Sequence, residues 1–252
     1  MAETGILWSG LTGRVGLEAM KAVRKMDDVK IVLGVSRRNM DGGTEINGET
    51  FEGVKWRNYR LICPNARDYT EIEEQIGAVV DFSNTAVFEK ILNVAIRAEK
   101  PLVIGTSGLS NRQLASLYDA TRRIPVFYAD NYRFKVKEFI DAAVEQAKNG
   151  CTDDLHENFY RGKKILPSEV SRALRARIAD ATGRTIEVYS SATLDKTNLP
   201  CEWKIGSLTC RVEGFADLAH DVLRIAQVMA TKPIHQGKFY TLDDIWTDIV
   251  RC

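Results

Sequence analysis

Apolar positions fall in short runs through the first half of the chain, each broken by glycine, hydroxyl or acidic residues. Ile6-Leu7-Trp8-Ser9 is such a run, and Gly10-Leu11-Thr12-Gly13-Arg14-Val15-Gly16 follows it directly. Leu17 to Met26 then carries a helical pattern, and Lys30 to Val35 is a second apolar strand. Strand, glycine turn, helix and strand in that order predict a parallel β-α-β unit. The polar stretch from Arg38 to Glu52 reads as a loop, Tyr59 to Ile62 as a third strand, and Thr70 to Gln75 as a short acidic helix. Ala78-Val79-Val80-Asp81-Phe82 and Pro101-Leu102-Val103-Ile104 are continuous apolar runs suited to strands buried on both faces. Between them, Val87, Ile91, Leu92, Ala95 and Ile96 recur at helical spacing. Ser110 is placed to cap a helix over Arg112 to Thr121, and Ile124 to Ala129 is a further strand.

Beyond Asp130 the pattern changes. Lys135 to Lys148 reads as a long helix, and Thr185 to Ala192 and Trp203 to Val212 alternate as strands, with little sign of further crossovers. Phe215 to Met229 is helical again, and Gly237 to Asp244 reads as a short strand or turn entering a terminal helical turn. The expected fold is α/β, a Rossmann-type doubly wound parallel sheet with a second, smaller α+β domain. The expected boundaries are a dinucleotide-binding domain over 1–129, a substrate and oligomerisation domain over 130–214, and a C-terminal segment over 215–252.

Charge and composition narrow the partners. Lys and Arg total 35 against 34 acidic residues, so no general field draws in nucleic acid. The apolar runs are too short to cross a bilayer, and the first strand begins so near Met1 that no cleaved signal peptide is expected. Five scattered cysteines without a CxxC pair, and three histidines, argue for free thiols in a reducing cytoplasm and against a metal centre. A small-molecule partner, with neither nucleic acid nor membrane, is the expectation.

The chemistry begins at the first turn. In a dinucleotide fold this turn brings backbone N–H groups against the pyrophosphate, and the next helix presents its positive N-terminus. Gly10, Thr12, Gly13, Arg14 and Val15 are the residues expected there, although GxxGxxG differs by one residue from the usual spacing. After the second strand stand Ser36, Arg37 and Arg38, with no acid for ribose hydroxyls. Two arginines and a hydroxyl suit a 2′-phosphate, so NADPH is expected, with NADH as the alternative. Phe82, Gly105, Thr106, Ser107 and Asn131 lie on loops that would line the same crevice, Asn131 serving either the carboxamide or the substrate.

Taken together these elements resemble the dihydrodipicolinate reductase family, whose members reduce a cyclic imine-type substrate with NAD(P)H. The resemblance is densest in GLTGRVG (10–16), VVDFS (79–83), KPLVIGTSGLS (100–110), IPVFYADNY (124–132) and GKFYTLDDI (237–245). It implies that the segment from about Phe215 returns to the cofactor domain, and that the chain forms a homo-oligomer, tetramer or dimer, through the second domain. The family carries E-x-H-H-x-x-K-x-D-A-P-S-G-T. Here Glu157, Lys163, Pro167 and Ser168 match, Phe159 and Tyr160 replace the histidine pair, and Glu169 and Val170 replace Gly-Thr.

Phenylalanine cannot donate a proton, so the family's usual general acid is missing at this position. Lys163 and Tyr160 are the catalytic candidates that remain, a cation or acid beside the substrate nitrogen. Arg161, Lys164, Ser168 and Asn131 are the candidate substrate contacts. Three readings stay open: an NADPH-dependent reductase of a different cyclic imine or unsaturated acid, an authentic dihydrodipicolinate reductase with substituted groups, and a non-redox enzyme or regulatory subunit on the same fold.

Overall fold

The computed structural model describes residues 3–37, 45, 50–58, 74–129, 131–151 and 153–250. The chain divides into two compact units, residues 1–129 with 215–252, and residues 130–214.

The first unit is a Rossmann-like parallel sheet. Its strands are β1 (Thr4–Ser9), β2 (Val29–Ser36), β3 (Lys55–Asn58), β4 (Ala78–Asp81), β5 (Leu102–Ile104) and β6 (Val126–Phe127), in the order β3-β2-β1-β4-β5-β6. The order reverses between β1 and β4, so their carboxyl ends open the crevice where such sheets bind ligands. Leu7, Val79, Leu102 and Val126 share one face by register, and on it pack α2 (Thr85–Arg97) and α3 (Asn111–Ala120). Ser110 and Gln113 form a reciprocal capping box at the start of α3. Two further helices, α1 (Arg14–Val23) and α6 (Ala216–Met229), pack against each other, and α6 also meets β4 and β5. Asp28, after α1, takes hydrogen bonds from Arg224 (2.7 Å) and Gln227 (2.9 Å) of α6. Past α6, Tyr240 bridges to Phe127 at the sheet edge and leads into α7 (Leu242–Val250).

The third strand lies at Lys55–Asn58, ahead of the expected Tyr59–Ile62, which falls outside the described residues. Most of the expected Arg38–Glu52 loop and of the Thr70–Gln75 helix also fall outside them. The first helix starts at Arg14, three residues earlier than its apolar pattern suggested, because the turn itself winds into the helix.

The second unit is a mixed sheet ordered β10-β9-β7-β8, comprising β7 (Leu155–Tyr160), β8 (Val188–Leu194), β9 (Cys201–Ile205) and β10 (Leu208–Val212). One face is covered by α4 (Phe134–Lys148) and α5 (Glu169–Thr182). The expectation of little further crossover is corrected here: β7 and β8 pair in parallel, and α5 is the helix that connects them. The single alternating segment expected over Trp203–Val212 is a hairpin, β9 to β10, turning at Gly206 with φ +53°. Among the described residues no helix is long and apolar enough to cross a membrane, and no group of three or more side chains could hold a metal ion.

Candidate cofactor site

At the carboxyl end of β1 the chain turns through Gly10, which takes φ +82°, a region that disfavours any side chain. A Cβ on Gly10 would lie 2.3 Å from the Phe82 carbonyl oxygen, so the β1 and β4 loops meet there with no room to spare. Gly13 N–H donates to the Gly10 carbonyl at 2.8 Å, and Gly13 is the N-cap of α1. The cap has no side-chain hydrogen bond and the first turn no acidic residue. By helix geometry the first N–H groups of α1 have no intrahelical acceptor, which leaves an open positive end. A Cβ on Gly16 would sit 2.3 Å from the Leu11 carbonyl, so the third glycine seats the helix on the turn.

Arg14, exposed at the first position of α1, lies 4.8 Å over the ring of Phe215. Val15 is half-buried beside it. The hydroxyl of Thr12 is 3.4 Å from that of Ser36, which is buried, so Ser36 faces the turn rather than solvent. Arg37 is exposed, and its carbonyl accepts from Asn58 at 3.1 Å. Arg38 lies outside the described residues.

On the β4 and β5 loops, the ring of Phe82 rests on Gly105, where a Cβ would lie 2.2 Å from it. Thr106 is buried; its Oγ1 donates to the Asp81 carbonyl (3.3 Å) and accepts from the Ser83 amide (3.1 Å). It therefore ties the two loops together, and Ser107 beside it is exposed. Asn84 caps α2, accepting from Ala86 N–H at 3.0 Å. The parallel sheet thus brings Gly10, Thr12, Gly13, Arg14, Val15, Ser36, Arg37, Phe82, Gly105, Thr106 and Ser107 to one end of the first unit.

In the second unit Asn131 is engaged locally, its amide donating to the Arg133 carbonyl (2.9 Å) and its Oδ1 accepting from Arg133 N–H (3.1 Å) at the entry to α4. Phe159 is buried on the helix-covered face, edge-on to Trp203 at 5.6 Å. Lys163 Nζ lies 5.2 Å over the Phe159 ring. Strand alternation points Tyr160 to the face opposite Phe159, and Lys163 N–H donates to the Tyr160 carbonyl at 3.3 Å. Arg161 and Lys164 are exposed, and Arg161 Nε donates to the Thr193 carbonyl at 3.2 Å.

Ser168 is buried. It caps α5 by accepting from Ser171 N–H (3.2 Å), and also accepts from the Trp203 indole N–H at 3.3 Å. Its own amide donates to both oxygens of Glu157, at 3.0 and 3.1 Å. Ser171 and Ser190 hydroxyls add bonds of 2.5 and 2.6 Å to that carboxylate. Burial pushes the Glu157 carboxyl up, but the bonds from Ser168, Ser171 and Ser190 outweigh it and hold it below the usual range.

Residues 4–132 match the family model for the N-terminus of dihydrodipicolinate reductase. The chain belongs to this family. It is 30% identical over 181 residues to the 4-hydroxy-tetrahydrodipicolinate reductase of Pseudoalteromonas atlantica, covering 70% of this chain and 66%, just under two thirds, of that relative. It is 35% identical over 191 residues to the corresponding reductase of Sulfurimonas denitrificans, covering 75% of this chain and 67% of the relative. The fold is similar to that of a dipicolinate-bound dihydrodipicolinate reductase from Paenisporosarcina sp. TG-14. That superposition has a TM-score of 0.67 at 13% identity and covers 96% of this chain and 99% of the other. A myo-inositol dehydrogenase from Corynebacterium glutamicum matches with a TM-score of 0.58 at 12% identity, over 94% and 90% of the two chains.

Two features of the site emerge only on folding. Phe215 comes to Arg14 from a remote part of the chain, and no local pattern announces such a contact. Asp81 was visible as the acid that ends an apolar run, yet its burial depends on the parallel neighbours that only the folded sheet supplies.

Proposed function

We propose that this member of the dihydrodipicolinate reductase family is an NADPH-dependent reductase of a small cyclic imine or related unsaturated acid other than the dipicolinate precursor. The observation that carries the reading is Phe159, which fills the place of a family histidine with a buried ring edge-on to Trp203. A phenyl ring has no exchangeable proton, so it cannot serve as the general acid that the resemblance assigns to that position.

The cofactor half supports a dinucleotide. The tight approach at Gly10 and the uncapped start of α1 suit a pyrophosphate, held by the amides of Gly13, Arg14 and Val15 with Thr12 nearby. Arg37 and Arg38 would take a 2′-phosphate, and Ser107 and Phe82 would border the nicotinamide riboside. When bound, a reduced nicotinamide supplies hydride; the protein orients it and excludes water. Lys163 is the group proposed to supply positive charge or a proton at the substrate nitrogen, and Arg161 and Lys164 to attract an anionic substrate. Tyr160, on the strand face opposite Phe159, is the second catalytic candidate, and Ser168 and Asn131 act through the backbone they hold.

A second reading, an authentic 4-hydroxy-tetrahydrodipicolinate reductase, is favoured by identities that reach 35% with such enzymes. The test is NADPH oxidation with a panel of cyclic imines, including the dipicolinate precursor. A kcat/KM at least about tenfold higher for another imine is expected, with Lys163→Ala lowering it about 10²-fold. The reverse ranking would favour the second reading. Cofactor binding without oxidation of any substrate would favour a non-redox role.

A further inference from the structure

Asp81, the last residue of β4, is fully buried. In register it stands beside Ser9 of β1 and Ile104 of β5, on the face covered by α2 and α3. Its Oδ1 accepts from the Ser83 hydroxyl at 2.5 Å. Among the described residues Oδ2 has no hydrogen-bond partner, and neither has the Ser9 hydroxyl, which faces the same carboxyl without reaching hydrogen-bond geometry.

A buried carboxylate needs donors on both oxygens or a cation. Glu157 meets that requirement with an amide and two hydroxyls at a helix N-terminus. Asp81 does not. The groups that face it are the hydroxyls of Ser9, Ser83 and Thr106 and the Ser83 amide, none of them charged, and burial pushes its carboxyl up against their pull. A proton on Oδ2 would remove the buried charge, and a small rotation bringing it and the Ser9 hydroxyl into hydrogen-bond geometry would give both orphaned atoms a partner.

We propose that Asp81 is a neutral carboxylic acid that positions the dinucleotide cradle, its proton shared with Ser9 so that the carboxyl ends of β1 and β4 are locked beneath the Gly10–Gly13 turn. This rests on the cofactor reading above. The residue acts through Phe82, next in the chain, whose carbonyl packs against Gly10 and whose ring packs against Gly105. Any shift of Asp81 therefore moves both walls of the crevice. An ionised Asp81 would also place a buried negative charge beside a site shaped for an anion.

Three measurements on the full chain test this. Infrared difference spectra of wild type against Asp81→Asn should show the C=O stretch of a protonated carboxyl at neutral pH, and Ser9→Ala should move that band. Hydrogen exchange without cofactor should find Gly10–Gly13 and Phe82–Asn84 protected within about twofold of wild type in Asp81→Asn. The same amides should exchange at least about tenfold faster in Asp81→Ala. Wild-type NADPH affinity should fall as pH rises, and that dependence should vanish in Asp81→Asn. Absence of the protonated band, or loop exchange in Asp81→Asn as fast as in Asp81→Ala, would overturn the proposal. If Asp81→Ala does not fold, the band and its response to Ser9→Ala decide. Failure of wild type to bind NADPH while the band is present would overturn the cofactor reading and leave the acid's hold on the turn standing.

Discussion

Asp81 in the first unit and Glu157 in the second are buried carboxyls with opposite electrostatic settings. Glu157 is held below its usual range, so its contribution to stability is present above the unfolded carboxylate pKa and is lost as pH falls through the lower folded value. Glu157→Gln is expected to lower stability by about 1–3 kcal/mol at neutral pH, with the gap narrowing in acid, as read from urea midpoints across pH. Asp81 is raised, which reverses the sign: wild type loses stability as pH rises from the unfolded value through the folded one. At the cofactor turn, Arg14 over Phe215 is a cation–π pair worth about 0.5–1 kcal/mol at an exposed position. Phe215→Leu should therefore weaken NADPH binding about two- to fivefold without changing the urea midpoint by much. An unchanged affinity would show that the ring does not position the guanidinium.

At the scale of elements, the glycine turn and its helix were legible because each glycine has a geometric duty. Gly16 is the clearest, since any side chain there meets the Leu11 backbone rather than a movable side chain. Gly16→Ala is expected to cost about 1–3 kcal/mol in denaturant unfolding, and an unaffected midpoint would mean that the turn can retreat. The alternation from β1 to β5 and the Ser110 cap were readable for the same reason, strong periodicity with clear punctuation. The β7-α5-β8 crossover was not. Of the fourteen residues of α5 only Ser171, Leu174 and Ile178 are buried, too thin a stripe to reveal a helical period. Nor could spacing alone reveal that β9 and β10 are separate strands, because the hairpin turns within two residues and the alternation runs on through it.

For the whole molecule, the proposed reading is of a family member that keeps the dinucleotide chemistry of its first unit and acts on a different substrate through its second. The glycine turn of the candidate cofactor site was readable in sequence, because close backbone approaches leave glycines where side chains cannot go. The candidate substrate residues were legible only by comparison with the family motif, and their burial came from folding: Phe159 and Ser168 are interior, whereas Arg161 and Lys164 face solvent. The most direct test of the central claim is titration of the full chain with NADPH and with NADH, read by cofactor fluorescence. Saturable NADPH binding at least about tenfold tighter than NADH is expected from a 2′-phosphate held by arginine. Binding of neither cofactor would contradict the assignment of this fold to dinucleotide chemistry.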